Sequence, residues 1–430
     1  MSTRYSKLVE TQRSFWRSGG TTLVEGRKKV IETFKKMCQD NKKDIDDAIF
    51  ADLHRSFSDV DHAVRETDHV LAHIDEWVKP LSFPVVAGGE LNDSSDSLSL
   101  VPEPFGVVLV IGPWNFPLVT VVPLVHALAA GNTVIVKPSE LTPTFSSTFA
   151  KLISKYFDEK VLACVEGGVP ETTELLKERF DHILYTGCPP VAKIIMAAAS
   201  KFLTPVTLEL GGKNPVLVDD SADLSLLVKG IMKAKILNAG QICISTDYII
   251  TTPAMKPKVF AALQAGFDSL GDMSKVDAYA RIVNDRHFER LMALLEKTKG
   301  KIVYKAGGEI CANDKFIPVH VIDATLDDEF MKEEVFGPLL PVVTVSSHEK
   351  PLAAYIFTAD EEKANRFVRE TSSGGVTVND AMAHAFAPGM PFGGVGNSGM
   401  GRLNGKFGFD TFTHEKAVCF RAGIKPAFKL

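Results

Sequence analysis

Apolar and polar positions along the chain follow two regimes. Residues 8–40 and 43–78 repeat hydrophobic side chains three and four apart between charged faces, which predicts amphipathic helices. A polar break, AGGELNDSSDSLS (87–99), carries the turn-forming residues of either a linker or a projecting hairpin. The pattern then shortens. GVVLVIG (106–112), NTVIVKP (132–138), VLACVEG (161–167), HILYTG (182–187) and VTLEL (206–210) are brief apolar runs rich in β-branched residues. Helical spacing separates them at 118–130, 144–156, 171–179 and 191–202. Strands alternating with helices imply right-handed crossovers and a doubly wound, Rossmann-like parallel sheet.

A second set begins at PVLVD (215–219), with a helix over 222–237, a strand at 247–252 and a helix over 256–270. KIVYK (301–305), FIPVHVI (316–322), LPVVTV (340–345), AAYIF (353–357) and GGVTVN (374–379) follow as strands. Two α/β layers joined near residues 210–214 place Glu209 at a domain junction, where clefts form. One connection is too short for this scheme. Only residues 346–352 separate LPVVTV from AAYIF, whereas a parallel crossover takes about a dozen residues or more. Either the two strands are antiparallel or a helix is missing.

Composition narrows the class. With 430 residues, 45% hydrophobic and 23% charged, the chain is an ordinary globular protein large enough for two or three domains. A formal net charge of -5 gives no footprint for nucleic acid or anionic membranes. Six cysteines without a CxxC pair argue against a disulfide framework and structural zinc. The expectation is a cytoplasmic protein with no metal, no secretory signal and no transmembrane anchor.

The most informative stretch is VTLELGG (206–212), followed by GQIC (240–243). It sets Glu209 on an apolar strand ending in two glycines, and Cys243 in a loop of small residues. A base and a sulfur nucleophile on separate rigid elements suit acyl transfer through a thioester.

PWNFP (113–117), KPSE (137–140), LYTG (184–187), LELGGKNP (208–215), NAGQIC (238–243), EEVFGPLLPVV (333–343), SSGGVTVND (372–380) and PFGGVGNSGMG (391–401) extend the pattern over nearly the whole chain. In these motifs the sequence resembles the aldehyde dehydrogenase superfamily, most closely its class 3, fatty-aldehyde-type branch. The resemblance implies an α/β fold: a cofactor domain (1–83 and 105–210), a catalytic domain (211–405), and a small β element for bridging and oligomerisation (84–104 and 406–430). It implies that Cys243 attacks the aldehyde, that Asn115 and the Cys243 N–H hold the oxyanion, and that Glu209 activates the hydrolytic water. That chemistry requires the site to favour a Cys243 thiolate, and it works best if burial raises the Glu209 pKa.

For the cofactor, the resemblance places Lys137 and Glu140 at the adenosine ribose, Glu334 at the nicotinamide ribose and Phe336 beside the ring. NAD is expected, with NADP also admissible, because an acidic residue at the ribose repels a 2′-phosphate. The pyrophosphate loop departs from the family. Gly187 is followed by Cys188, Pro189, Pro190 and Val191, and Ala192 replaces a second glycine; the prolines remove donors, and the Ala192 methyl occupies a position of close approach. Lys233 stands where the branch has an aromatic tunnel residue, and the 345–352 connection lacks a helix of the family.

Four features carry less chemistry. Glu333 is either a second proton-transfer carboxylate or a solvated charge. His384 is either a residue at the substrate mouth or a structural one. His126 and His182 read as core histidines, and the 391–401 glycines as close backbone packing at the site rim.

The expected function is NAD(P)-dependent oxidation of aliphatic or aromatic aldehydes to acids by a homodimer, formed through the region near 84–100 and the C-terminal strand. Two other readings stand beside it: a catalytically weakened relative acting as a binding protein, and acyl transfer to coenzyme A.

Overall fold

The computed structural model describes residues 3–84, 96–276, 279–344, 350–387, 389–421 and 424. Its described strands form three sheets of three, six and seven strands.

In the six-stranded sheet, Val107–Ile111 lies centrally, parallel to both Thr133–Lys137 and His182–Thr186. Leu162–Cys164 continues one side and Val206–Glu209 the other, both parallel. A two-residue strand, Gly399–Met400, closes the edge antiparallel to Val206–Glu209. The uninterrupted apolar run of Val107–Ile111 follows from burial on both faces. Val107, Leu109 and Ile111 pack in one cluster beside Ala192 and Ile195 of helix Pro189–Ala199. Val108 and Val110 pack in the other, with helices Val24–Asp40, Leu124–Ala130 and Pro143–Tyr156. The chain leaves Val107–Ile111 in opposite directions for its two neighbours. That makes the carboxyl ends of this strand and His182–Thr186 the switch point where ligands bind in open α/β sheets.

The seven-stranded sheet is parallel except for its edge strand Lys301–Lys305. Leu339–Val343 and Ala353–Phe357 both belong to it and are parallel, with Tyr248–Thr251 and Pro215–Val218 between them. The antiparallel alternative is therefore wrong. Crossing three strand spacings and one strand length covers ~22 Å, and ten extended residue steps reach ~33 Å, so a short link suffices. Residues 345–349 of that link lie outside the described residues.

Leu81–Phe83 pairs antiparallel with Ser97–Pro104, which in turn pairs with Thr413–Phe420. The polar break is thus flanked by the two arms of a hairpin, although most of it lies outside the described residues. Other departures are local. The helix expected over 118–130 is helical only at Leu124–Ala130, after a run of turns. Helices Asp285–Lys297, Glu361–Glu370 and Gly405–Thr411 were not expected.

Candidate active site

Cys243 is delivered by a strained turn. After helix Leu224–Ile236, Asn238 and Ala239 adopt left-handed conformations (φ 52° each), and Gly240 follows at φ 73°. Non-glycine residues pay roughly 1–2 kcal/mol each for that region, so the turn needs external support. Asn238 Nδ2 donates to Asn115 O (2.9 Å) and Gln241 O (3.0 Å), and Gln241 Nε2 donates to Asn238 O (2.9 Å) and Arg281 O (3.0 Å). Asn214 Nδ2 holds the Cys243 carbonyl at 2.8 Å. Gly240 is required twice over: a Cβ there would lie 2.4 Å from Gly337 O.

Asn115 occupies the turn after Val107–Ile111 and is buried. One hydrogen of its amide goes to Gln241 O at 3.1 Å, next to the cysteine loop, which leaves the second for a ligand. Glu209 ends its strand 2% exposed, with neither carboxylate oxygen hydrogen-bonded. Close by, Gly393 packs its backbone against it; a Cβ at Gly393 would sit 3.2 Å from Glu209 Oε1. The 391–401 glycines accordingly serve backbone packing, with Gly394 against Ser398 and Gly399 against Leu208.

Asn115, Glu209 and Cys243 line one cavity of about 140 Å³. Its walls are largely apolar, from Phe57, Phe116, Leu237, Ile242, Phe386 and Phe392. Electrostatics in the cavity oppose ionisation. Burial pushes the Glu209 carboxyl well above its ordinary value. Burial, then the carboxylates Glu334 and Glu209, push the Cys243 thiol up to about 12, against which the Cys243 and Ile244 N–H groups pull only weakly. Burial and the neighbouring carboxylates thus oppose the thiolate that the chemistry requires.

Glu334 lies against the two glycines after Glu209; a Cβ on Gly211 would meet its Oε2 at 2.2 Å. Burial raises its pKa to about 8. Its loop is held through the backbone. Asp247 Oδ1 accepts from Val335 N (2.7 Å), Arg290 donates to Val335 O (2.7 Å), Lys235 to Gly337 O (3.1 Å) and Lys213 to Glu333 O (3.1 Å), while Lys213 also pairs with Asp247. Phe336, at φ 47°, meets Trp114 edge-on with ring centroids 5.4 Å apart. Glu333 points to solvent and is not part of the cavity.

These holding residues went unassigned in the sequence. Lys213, Asn214, Asn238 and Gln241 sit inside quoted motifs, and their polarity within otherwise small or apolar runs is the signal that marks them. Lys235 and Asp247 are charges on buried segments, which implies pairing.

Of the residues that the resemblance assigns to the cofactor, Gly187 follows His182–Thr186 at the switch point, and Lys137 ends Thr133–Lys137 on the other side of Val107–Ile111. Lys137 is buried and pairs with Glu140 at 3.0 Å, leaving the Glu140 side chain partly exposed. Gly187 has no room for a side chain: a Cβ would fall 2.1 Å from Tyr185 Oη. Cys188 is the N-cap of helix Pro189–Ala199, and its N–H is taken by Tyr185 Oη at 3.0 Å. Pro189 and Pro190 have no N–H, and Ala192 N donates to Cys188 O (3.1 Å). Of positions 188–192, only Val191 has an N–H that neither a proline nor these bonds remove. The Ala192 methyl, expected to intrude, is buried in the core instead. The site thus fits a dinucleotide at both riboses, with few backbone donors for its pyrophosphate.

Of the remaining residues, Lys233 donates to Ala381 O (3.2 Å) and lies 5.5 Å from the centroid of the Phe386 ring, beside the cavity wall. His384 bonds Thr377 Oγ1 at 2.8 Å and braces the same wall through its neighbours Ala385 and Phe386. His182 is buried against Phe105, with its pKa lowered by burial to about 4. His126 is buried too, but it reaches the cavity beside Glu66, 2.9 Å away.

Residues 7–418 match the aldehyde dehydrogenase family. The dimeric, NADP-preferring aldehyde dehydrogenase of Canis lupus familiaris is 40% identical over 97% of this chain and 95% of its own length. Aldehyde dehydrogenase family 3 member A2 of Mus musculus is 42% identical over 96% and 87%. Among solved structures, the substrate-bound AldH of Staphylococcus aureus superposes with a TM-score of 0.93 at 33% identity, covering 99% of this chain and 96% of that one.

Proposed function

Since the chain belongs to the aldehyde dehydrogenase family, and its activity is the NAD(P)-dependent oxidation of aldehydes to carboxylic acids, we propose the following residue roles for that reaction. The observation that carries them is the single cavity shared by Cys243, Asn115 and Glu209.

An aldehyde enters with its chain against the aromatic and aliphatic walls. A cavity of this size is close to the ~150 Å³ that accommodates a benzene ring, which suits medium aliphatic and aromatic aldehydes. Cys243 Sγ bonds to the carbonyl carbon, giving up its proton to a neighbouring carboxylate or water. The carbonyl oxygen becomes an oxyanion, held by the free N–H of the Asn115 amide and by the Cys243 backbone N–H; one such donor is typically worth about a hundredfold or more in rate. When bound, the nicotinamide supplies the hydride acceptor. Glu334 and Phe336 orient its ribose and ring, and Lys137 with Glu140 hold the adenosine ribose. The acyl group left on Cys243 is released by water. Glu209, buried and basic for a carboxylate, takes the proton from that water.

Retention of Glu209 in the cavity supports hydrolysis over transfer to coenzyme A. NADH formation on octanal or benzaldehyde, with and without coenzyme A, separates the two; loss of all turnover in Cys243→Ala is the expected control. Unchanged turnover in that variant would overturn the assignment.

The three sheets support a division into a cofactor domain (1–83 and 105–210), a catalytic domain (211–405) and a bridging β element (84–104 and 406–430). The exposed edge strand Thr413–Phe420, together with relatives named as dimeric, supports a homodimer formed through that element. Among the described residues no helix is long and apolar enough to cross a membrane, and a cytoplasmic location is the proposed one.

A further inference from the structure

Behind the turn that carries Asn115 lies an ion pair with no part in the reaction as described. Arg55 follows the left-handed residue His54, which closes helix Lys42–Leu53, and Asp59 opens helix Asp59–Trp77. Their side chains are both 0% exposed and meet at 2.6 Å. Each then touches the Asn115 turn. Asp59 Oδ2 accepts from Leu118 N (3.1 Å) and Val119 N (3.4 Å). The Arg55 guanidinium lies 4.3 Å from the centroid of the Phe116 ring.

As a stabilising device this pair is poor. Burial lowers the Arg55 pKa, and its Nε and Nη1 have no hydrogen-bond partner. Buried ion pairs of this kind are often replaced by apolar side chains without loss of stability. What the pair provides is geometry. It grips the residue after Asn115 by its ring and the next two N–H groups beyond Pro117, while Asn238 holds Asn115 O. We infer that Arg55 and Asp59 are positioning residues for Asn115, fixing its amide where the oxyanion forms. The inference rests on the oxyanion role proposed for Asn115. A displacement of about 1 Å at such a group costs on the order of a hundredfold in rate.

A double-mutant cycle on the single-turnover rate tests it. Arg55→Met is expected to slow hydride transfer ten- to a hundredfold, leaving the calorimetric Kd for NAD within twofold. In an Asn115→Ala background the same change is expected to cost less than threefold, because the group it positions is gone. Should Arg55→Met fail to fold, the paired swap Arg55→Met with Asp59→Leu, which leaves no lone buried charge, replaces it in the cycle. Asp59→Asn, which keeps an acceptor for Leu118 and Val119, is expected to retain more activity than Asp59→Leu. An equal loss in both Asn115 backgrounds would overturn the inference. Full activity in Asn115→Ala alone would instead overturn the oxyanion assignment beneath it.

Discussion

Asn238 donates its side-chain amide to the backbone carbonyl of Asn115 at 2.9 Å. That bond joins the left-handed turn that carries Cys243 to the turn that carries Asn115, across 123 residues of sequence. Cys243 and Asn115, the proposed nucleophile and oxyanion donor, are therefore not independently placed. A change in either turn is transmitted to the other through this amide and through Gln241 O, which both asparagines share.

Asn238→Ala removes both donor bonds and puts alanine where asparagine tolerates φ 52° better. Each lost buried bond costs ~1 kcal/mol. Gln241 O keeps its bond from Asn115 Nδ2, so only the Asn115 carbonyl is orphaned, and a loss of about 2 kcal/mol in urea-induced unfolding is expected. Turnover should fall at least tenfold even where the variant is fully folded. An unfolding midpoint within error of the parent would contradict the coupling of the two turns.

Gly240→Ala tests the close approach of the two loops. Its Cβ would lie 2.4 Å from Gly337 O, a backbone atom that cannot rotate away, at a φ of 73°. The conformational cost alone is roughly 1–2 kcal/mol. Because Gly337 belongs to the loop carrying Glu334 and Phe336, the expected signature is weaker NAD binding by calorimetry together with slower acylation. Normal NAD affinity would show that the two loops move independently.

The Cys243 thiol, pushed up to about 12, is almost wholly protonated at neutral pH. Alkylation of the cofactor-free protein by iodoacetamide should be slow at pH 7.5 and rise about tenfold per pH unit to beyond pH 10, since the thiolate is the reacting form. Cys188 and Cys419 are exposed and would report first, so the double variant Cys188→Ser, Cys419→Ser is the parent for this measurement. A rate at Cys243 that levels off below pH 8 would mean that an unrecognised cation stabilises the thiolate.

The proposed ribose contact of Glu140 predicts an effect on the choice of dinucleotide. Its carboxylate pairs with Lys137 at 3.0 Å and is partly exposed. Glu140→Gln removes repulsion toward a 2′-phosphate. The ratio of kcat/KM for NADP over NAD is expected to rise about threefold, a size typical of one exposed charge contact. An unchanged ratio would assign the selectivity elsewhere.

The strand–helix alternation from residue 106 was legible because buried strands such as Val107–Ile111 and Thr133–Lys137 are short β-branched runs and helices such as Pro143–Tyr156 keep a 3.6-residue period, whereas Leu124–Ala130, buried all round, does not. Cys243, Glu209 and Asn115 were legible as members of motifs, each next to glycine or proline that fixes a turn. What stayed hidden depends on contacts between distant segments. Nothing near Arg55 or Asp59 in sequence says that Leu118 and Phe116 will be their partners. The electrostatic surroundings of Cys243 were hidden for the same reason, since they come from its burial and from Glu334, 91 residues away in the chain. Helix Asp285–Lys297 is a different case. Phe288, Leu291, Met292 and Leu295 mark its buried face, and Asn284 caps it by accepting from His287 N, but its many charges gave it the look of a polar stretch.

Glu209 joins stability to catalysis, and the sign of the effect is fixed. Its carboxyl is buried without a hydrogen bond, and its pKa is raised well above 4.5. Between 4.5 and the folded value the native state holds a proton that the unfolded chain has lost, so stability falls as pH rises through that window. Glu209→Gln removes the titration. The variant should match the parent near pH 4.5 and become progressively more stable than it toward pH 8, read as the difference in Tm. Its chemistry should fail in the opposite sense. Acylation needs Cys243 and Asn115 and should still occur, giving a burst near one equivalent of NADH per active site. The thioester then lacks its base, and steady turnover is expected to drop by about 10²–10⁴. A Glu209→Gln protein that turns over at the parental rate, or one that shows no gain in Tm at pH 8, would remove Glu209 from the role of buried base.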